Sequence, residues 1–224
     1  MSPTRIARYK DLCVDVRDVE AGERFWSAAL GLQRKGEGEH SWLAGATPQH
    51  TVWVNEVPEV KSVKNRVHLD VHTGAIAELE ALGAKVLENF DRWTVMADPA
   101  DGQEFCAFVR DQVPDYRLYE IVVDCADPEP IARWWADVFG ARLGVGHGGG
   151  WWWIDQVPDC PFEAFSFVPV PEPKVVKNRV HWDVSVNSVQ PLLEAGATVL
   201  RAKGGDIGWH VLVDVQGNEF CAFD

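Results

Sequence analysis

An internal repeat constrains the fold of this chain more than any other feature. Residues 57–71 read VPEVKSVKNRVHLDV and residues 170–184 read VPEPKVVKNRVHWDV, so 12 of 15 positions are identical. GQEFCAF at 102–108 likewise returns as GNEFCAF at 217–223. Because the spacing between the copies drifts by only two residues, the whole chain is predicted to be a tandem duplication.

Each half of the chain divides again into two similar units. KDLCVDV at 10–16 is typical of a strand, and apolar residues at helical spacing follow at 18–32, with Gly31 at the position of a C-terminal cap. A new strand begins at NRVHLDV, and short strand candidates complete each unit. The pattern predicts an α+β fold of four βαβββ modules, arranged as tandem domains at residues 1–113 and 114–224.

Composition narrows the class of protein and its partners. The net charge of −13 disfavours binding to nucleic acid or to an anionic membrane surface. Five cysteines, an odd number with no CxxC pair, favour reduced thiols and a cytoplasmic location. No apolar segment is long enough to span a membrane.

The modules resemble the vicinal oxygen chelate superfamily, which includes glyoxalase I, bleomycin-resistance proteins and extradiol dioxygenases. The resemblance covers nearly the whole chain and rests on three features. These are the paired βαβββ units, the helices ending in FWSAALGL and WWADVFGARL, and the late turns ADPADGQEF and VDVQGNEF. It implies two glyoxalase-like domains, each with a cup that holds a small molecule.

In metal-using members of the superfamily, four His, Gln or Glu side chains line a cup. Carried over by position, the resemblance places them on Cys13, Asn55, His68 and Cys106 in the first half, and on Val122, Val168, His181 and Cys221 in the second. The carboxylate that normally closes each module is therefore replaced by cysteine. We accordingly expect no cofactor in the usual four-ligand arrangement.

Three arrangements of ligands remain possible around His68. Strand alternation places His68, Asp70 and His72 on one face, and Glu104 is a shifted carboxylate on the last strand of its module. A divalent metal such as Zn, Ni or Fe would then be held by His68, Asp70 and Glu104. Alternatively, Cys13, His68 and Cys106 form a soft zinc site, or the cysteines are buried as small hydrophobic residues.

Tryptophan is abundant, with 11 residues in the chain, and several lie on predicted strands. Indole rings facing a cup would suit a flat apolar ligand, although core packing explains them equally well. The predicted ligand-binding residues combine the strand tryptophans with the carried-over positions: Cys13, Trp53, Asn55, His68, Asp70, Trp93, Cys106, Trp153, His181, Trp182, Trp209 and Cys221.

The repeated KNR triplets are interpreted as part of the architecture. Glu59 is expected to pair with Arg66, and Glu172 with Arg179, across the connections between modules, with binding of a phosphate as the alternative.

Two functional hypotheses follow. The first is metal-free binding of a hydrophobic or aromatic small molecule, as in sequestration or resistance proteins. The second is a metal-dependent lyase or isomerase of the glyoxalase type, in which a cation polarises a carbonyl oxygen. Because the duplication already supplies paired domains, the chain is expected to be a monomer or a weak homodimer. The pattern leaves open whether each cup forms within one half or between the halves.

Overall fold

The computed structural model describes residues 5–38 and 41–224. It contains four modules with the predicted order of strand, helix and three strands. The first module comprises β1 (Ala7–Val16), α1 (Val19–Leu30), β2 (Gln33–Lys35), β3 (Trp42–Ala44) and β4 (Val52–Glu56). The second comprises β5 (Val67–Thr73), α2 (Ile76–Ala81), β6 (Lys85–Asn89), β7 (Thr94–Ala97) and β8 (Glu104–Val109).

The second half repeats this order. The third module comprises β9 (Leu118–Cys125), α3 (Pro128–Phe139), β10 (Arg142–Val145), β11 (Trp152–Asp155) and β12 (Ala164–Pro169). The fourth comprises β13 (Val180–Val186), α4 (Gln190–Glu194), β14 (Thr198–Arg201), β15 (His210–Val213) and β16 (Glu219–Phe223). None of the described helices is long and apolar enough to cross a membrane.

Both long helices end as the sequence pattern predicts. Gly31 after α1 and Gly140 after α3 adopt left-handed φ angles of 69° and 63°. Their backbone N–H groups bond to carbonyls in the last turn, which closes the helix. The Asp18 side chain accepts from the Ala21 N–H and caps the start of α1.

The modules combine across the two halves of the chain into two eight-stranded sheets. One sheet, in the order β14-β15-β16-β13-β1-β4-β3-β2, joins the first and fourth modules. The other, in the order β10-β11-β12-β9-β5-β8-β7-β6, joins the second and third. We call these the terminal sheet and the central sheet. The cups therefore form between the halves. The boundary between the tandem domains, at residues 113 and 114, stays a prediction.

The hydrophobic core lies between the two sheets, with α1 and α3 inside it. Trp135 on α3 contacts Trp182 of the terminal sheet at a ring separation of 4.9 Å, and Phe139 stacks on Phe165 of the central sheet. Trp26 on α1 reaches Phe105 of the central sheet. Burying these large rings turns one face of each sheet inward, so the opposite face is free to form the terminal cup or the central cup.

Two connectors, residues 57–66 and 170–179, carry the chain from one sheet to the other. Each is bonded to the first strand of the module across the seam: Asp124 N–H donates to the Arg66 carbonyl, and Asp15 N–H to the Arg179 carbonyl, both at 2.7 Å. Lys64 and Lys177 form ion pairs with the carboxylates of the same two aspartates. The connectors are thus related by an approximate twofold arrangement.

The predicted pairing of charges within each connector is wrong. Arg66 lies 3.7 Å from the Glu172 carboxylate of the other connector. Arg179 donates to the Glu59 carbonyl and pairs with Asp101 at 2.7 Å. The two connectors run side by side, so each arginine contacts a glutamate of the opposite connector rather than of its own. The repeated segments therefore contribute to the contact between the halves.

Candidate functional site

The seam between halves determines which candidate residues meet. In the terminal sheet β1 pairs antiparallel with β13, so that Cys13 lies opposite His181 and Asp11 opposite Asp183. In the central sheet β5 pairs with β9, so that His68 lies opposite Val122 and Asp70 opposite Glu120. The terminal cup thus receives Cys13, Asn55, His181 and Cys221, and the central cup receives His68, Cys106, Val122 and Val168.

This grouping corrects the predicted soft zinc site. Cys13 belongs to the terminal sheet, whereas His68 and Cys106 belong to the central sheet, on the other side of the core. The three side chains were grouped by their common origin in the first half of the sequence. Strand pairing across the halves separates them.

The floor of the terminal cup is a continuous line of polar side chains. The Cys221 Sγ lies 3.6 Å from His181 Nε2, which in turn lies 3.6 Å from the Asp183 carboxyl group. The Cys13 thiol donates to Asp183 Oδ2 at 3.8 Å. These four side chains are all buried, and His181 Nδ1 and Asp183 Oδ1 have no hydrogen-bond partner. The equivalent atoms of the central cup, His68 Nδ1 and Asp70 Oδ1, also have no hydrogen-bond partner, so both copies share this feature.

Burial shifts the pKa of each of these four side chains towards its neutral form. It raises the pKa of Asp183 well above its usual range, and the nearby Asp11 carboxylate adds to the rise. It lowers the pKa of His181 and raises those of Cys13 and Cys221. Each of these shifts favours the uncharged form of the group: the neutral imidazole, the two thiols and the protonated carboxyl group.

Aromatic rings form the walls above this floor. The cavity has a volume of about 690 Å³ and is lined by Trp53, Trp209 and Phe223, among other residues. Trp209 stacks on Phe223 with ring centres 5.5 Å apart, and Trp53 packs against Trp42 at 5.9 Å. The Trp53 indole N–H also donates to the Asp11 carboxylate at 3.1 Å, which fixes the ring at the edge of the floor.

The cations of the terminal cup lie around its aromatic rings and at its carboxylates. Lys10 Nζ is 4.1 Å from the centre of the Phe223 ring and pairs with Asp11. Lys177 pairs with Asp15, and both side chains line the cavity. These contacts balance the aspartates, leaving a cavity with apolar walls and a polar base.

The central cup has an equivalent line with different chemistry. His68 Nδ1 lies 3.0 Å from Asp70 Oδ1, and the Ser166 hydroxyl donates to the Glu120 carboxylate. Burial alone would lower the pKa of His68, but Asp70 and Cys106 outweigh it and raise the pKa well above the usual value. Burial, with a further contribution from Asp70, raises the pKa of Glu120 to about 7.

The aromatic residues of the central cup pack on one another. Phe108 lies between Trp93 and Tyr119 at ring separations of 6.1 and 5.2 Å, and the Arg110 guanidinium covers Phe108 and Tyr119. Trp153 packs against Trp151 at 4.9 Å. The aromatic rings of both cups are therefore packed in pairs or small clusters.

Two predicted site residues have other roles. Trp182 is only 1% exposed and packs between Trp135 and Phe165, because it alternates with His181 and therefore faces the core. Glu104 accepts from Lys61 at 2.7 Å and from the Asn65 backbone N–H at 3.1 Å. It is thus engaged by the connector and is absent from the described cluster of His68, Asp70 and Cys106.

The sequence interpretation missed Asp183, Asp11 and Glu120. Asp183 corresponds to Asp70 in the repeat and shares a face with His181, so strand alternation alone would have found it. Asp11 and Glu120 reach the cups only through the register of the seam between halves, which no local pattern specifies.

Two groups of side chains have the spacing of metal ligands: Cys13, His181 and Asp183 in the terminal cup, and His68, Asp70 and Cys106 in the central cup. Within each group the candidate ligand atoms lie within 4.8 Å of one another. The terminal group, with Cys221 next to His181, has the mixture of sulfur, nitrogen and oxygen donors that zinc accepts. In the central group the raised pKa of His68 favours a protonated imidazole, which would compete with a metal.

Comparison with known proteins agrees with this architecture. A family model described as a glyoxalase-like domain matches residues 11–108 and 120–223, one match in each half. The chain belongs to the glyoxalase-like domain family. The two tandem matches place it in the vicinal oxygen chelate superfamily, as the sequence resemblance predicted.

Solved structures with low sequence identity share the fold of this glyoxalase-like protein. Glyoxalase I from Zea mays is similar over 97% of this chain and 92% of its own, with 15% identity and a TM-score of 0.70. A putative dioxygenase from Bacillus subtilis is similar over 98% of this chain and 85% of its own chain, with 13% identity and a TM-score of 0.62. No curated protein matches the chain by sequence.

Proposed function

We propose that the terminal cup binds a flat, mostly apolar small molecule that carries a hydrogen-bonding group at one end. The supporting observation is the cavity of about 690 Å³ with Trp53, Trp209 and Phe223 on its walls and a polar floor that includes His181 and Asp183. Pockets of this size and composition bind small molecules, with a few polar groups fixing their orientation. Ligand stacking on indole and phenyl rings would supply most of the affinity.

The floor defines the polar end of the ligand. His181 and Asp183 both line the cavity, and burial shifts the pKa of each towards the neutral form, which can donate or accept a hydrogen bond. A phenol, amide or heteroaromatic nitrogen fits this base. None of the four carried-over ligand positions in this cup is a carboxylate, which favours binding over the metal chemistry of the superfamily.

Intrinsic fluorescence tests this proposal. A panel of phenols, aryl amides and nitrogen heterocycles is titrated against the wild-type protein, and we expect saturable quenching by at least one class. Trp53→Phe and Trp209→Phe should each raise the dissociation constant about tenfold, since each removes part of the stacking surface. Trp152→Phe, on the face of β11 opposite Trp153, is the matched control. No quenching across the panel, or equal loss in the control, would contradict the proposal.

A second candidate function is metal-dependent lyase or isomerase chemistry in the same cup. It is favoured by the compact donor group Cys13, His181 and Asp183, with Cys221 adjacent. These residues would hold a zinc-like cation, which when bound would polarise a substrate carbonyl oxygen. Asp11, beside Asp183 in the register, would accept a proton from the substrate.

Metal analysis of protein purified without a polyhistidine tag separates the two candidates. Stoichiometric zinc, lost in Cys13→Ser and His181→Gln but retained in His68→Gln, supports the metal site. Substoichiometric zinc, nickel, iron and manganese, with no activity gained on adding them, would exclude it and leave metal-free binding.

A further inference from the structure

A second cavity, of about 270 Å³, adjoins the terminal cup. It lies between the two connectors, and its walls come mainly from residues 57–66 and 176–179. Asp15, Val57 and Lys177 line both this connector cavity and the terminal cup. The connector cavity therefore begins where one end of the terminal cup stops.

The strand β4 leads from the aromatic wall of the cup to the connector cavity. Trp53 and Asn55 line the cup, and strand alternation places Val57 on the same face. The Val57 N–H donates to the Val16 carbonyl at 2.9 Å, so the pairing of β4 with β1 continues to this residue. From Trp53 to Val57 the strand spans about 13 Å. A ligand that stacks on Trp53 and passes Val57 has to be elongated.

The charges of the connector cavity are balanced within the protein. Each cation in its lining has a carboxylate partner: Lys61 with Glu104, Lys64 with Asp124, Arg66 with Glu172, Lys177 with Asp15, and Arg179 with Asp101. Because these ion pairs are already formed, the cavity does not require a charged ligand.

The remaining surface of the connector cavity is largely apolar. Val60, Val63 and Val176 line it and are 65%, 40% and 44% exposed, respectively. Removing apolar surface from water is favourable, so hydrocarbon that covers these three side chains would gain affinity from the contact. The connector cavity thus provides an apolar extension to a cup that has a polar floor.

We propose that the ligand of the terminal cup carries a hydrocarbon tail, which extends past Val57 into the connector cavity. The inference rests on the function proposed for the terminal cup and adds the class of ligand, an aromatic head with one polar group joined to an aliphatic chain. The Lys177–Asp15 ion pair lies at the junction of the cavities. The methylene groups of the lysine offer the tail a further apolar contact.

A series of para-alkylphenols, from ethyl to heptyl, tests the proposal by fluorescence titration. We expect affinity to rise about two- to fourfold for each methylene group that extends beyond Val57. Val60→Ser/Val63→Ser should weaken binding of para-heptylphenol about tenfold and leave para-ethylphenol unchanged. Val175→Ser/Val215→Ser is the matched control, because these valines are 72% and 42% exposed and line neither cavity. It should leave the binding of both phenols unchanged.

A measurement on the wild-type protein locates the tail. Backbone amide NMR signals of residues 57–66 and 176–179 should shift with para-heptylphenol and stay in place with para-ethylphenol. Binding of para-ethylphenol with no gain along the series, equal weakening in the control variant, or connector signals that do not move would overturn the tail and leave the cup proposal intact. Failure of every phenol to bind would overturn both.

Discussion

The two cups share one construction and differ in the direction in which the pKa of the histidine is shifted. Both have a histidine on the first strand of a module, a carboxylate two residues later and a cysteine on a neighbouring strand. In the central cup Asp70 lies 3.0 Å from His68 and raises its pKa. In the terminal cup His181 lies 3.6 Å from Asp183, and burial lowers its pKa. The contacts also involve different ring nitrogens, Nδ1 of His68 and Nε2 of His181, so the same residue types in the two copies shift the histidine pKa in opposite directions.

The walls of the two cups also differ, at one equivalent strand position. Trp53 in the terminal cup occupies the position that Ser166 occupies in the central cup, since Trp53 pairs with Cys13 and Ser166 with Val122. The indole ring provides a wall for an open cavity, whereas the serine bonds to Glu120. The same strand position therefore supplies an aromatic wall in one cup and a hydrogen bond to a carboxylate in the other.

Separating the halves gives the largest expected effect and tests whether the cups depend on each other. Residues 1–113 alone contain half of each cup, so we expect loss of the ligand-induced fluorescence change. Mixing them with residues 114–224 should restore it, because both seams are pairings between halves. Retention of terminal-cup binding by 1–113 alone would show that the seam is dispensable.

Substitution of the buried carboxylates has the next largest expected effect. Asp70→Asn removes the charged partner of His68 and should lower the free energy of unfolding by about 2 kcal/mol. Asp183→Asn replaces a carboxyl group whose raised pKa favours the neutral form, which the amide resembles, so the cost should stay below about 1 kcal/mol. Urea denaturation measures both. Equal losses would mean that the two floors have the same charge state.

Tryptophan substitutions should have smaller effects, and they distinguish core residues from residues of the cup. Trp182→Phe reduces a fully buried ring whose N–H has no partner, and should cost about 1 kcal/mol of stability. Its ligand affinity should be that of the wild type. Trp53→Phe should behave in the opposite way. A change of affinity in Trp182→Phe would indicate that the core residue reaches the ligand.

The smallest effect is a difference in pH dependence. The raised pKa of His68 means that its stabilising contribution is present below the unfolded value near 6.5 and is lost as the pH rises through the higher folded value. The lowered pKa of His181 means that the unfolded state binds more protons, so stability falls as the pH drops below about 6.5. Thermal denaturation of His68→Gln and His181→Gln, in the presence of a chelator, should show opposite changes in slope against pH. Parallel slopes would contradict the assignment.

The order of strands and helices within each module could be predicted from the sequence, whereas the pairing of modules could not. Alternating apolar residues and the cap at Gly31 reflect local structure, so the order of strands and α1 were predictable. The choice between pairing β1 with β13 or with β5 depends on contacts distant in sequence, and both choices satisfy the same pattern. The error at Trp182 had a different cause, because alternation from His181 already placed that ring on the opposite face.

The seam between halves also sets an order for folding during synthesis. Val122 follows His68 by 54 residues, whereas His181 follows Cys13 by 168 residues. The central sheet can therefore assemble while β1 still waits on the ribosome with one edge unpaired. Exposed strand edges promote aggregation, so the edge of β1 is open to wrong pairing during the interval before β13 is synthesised.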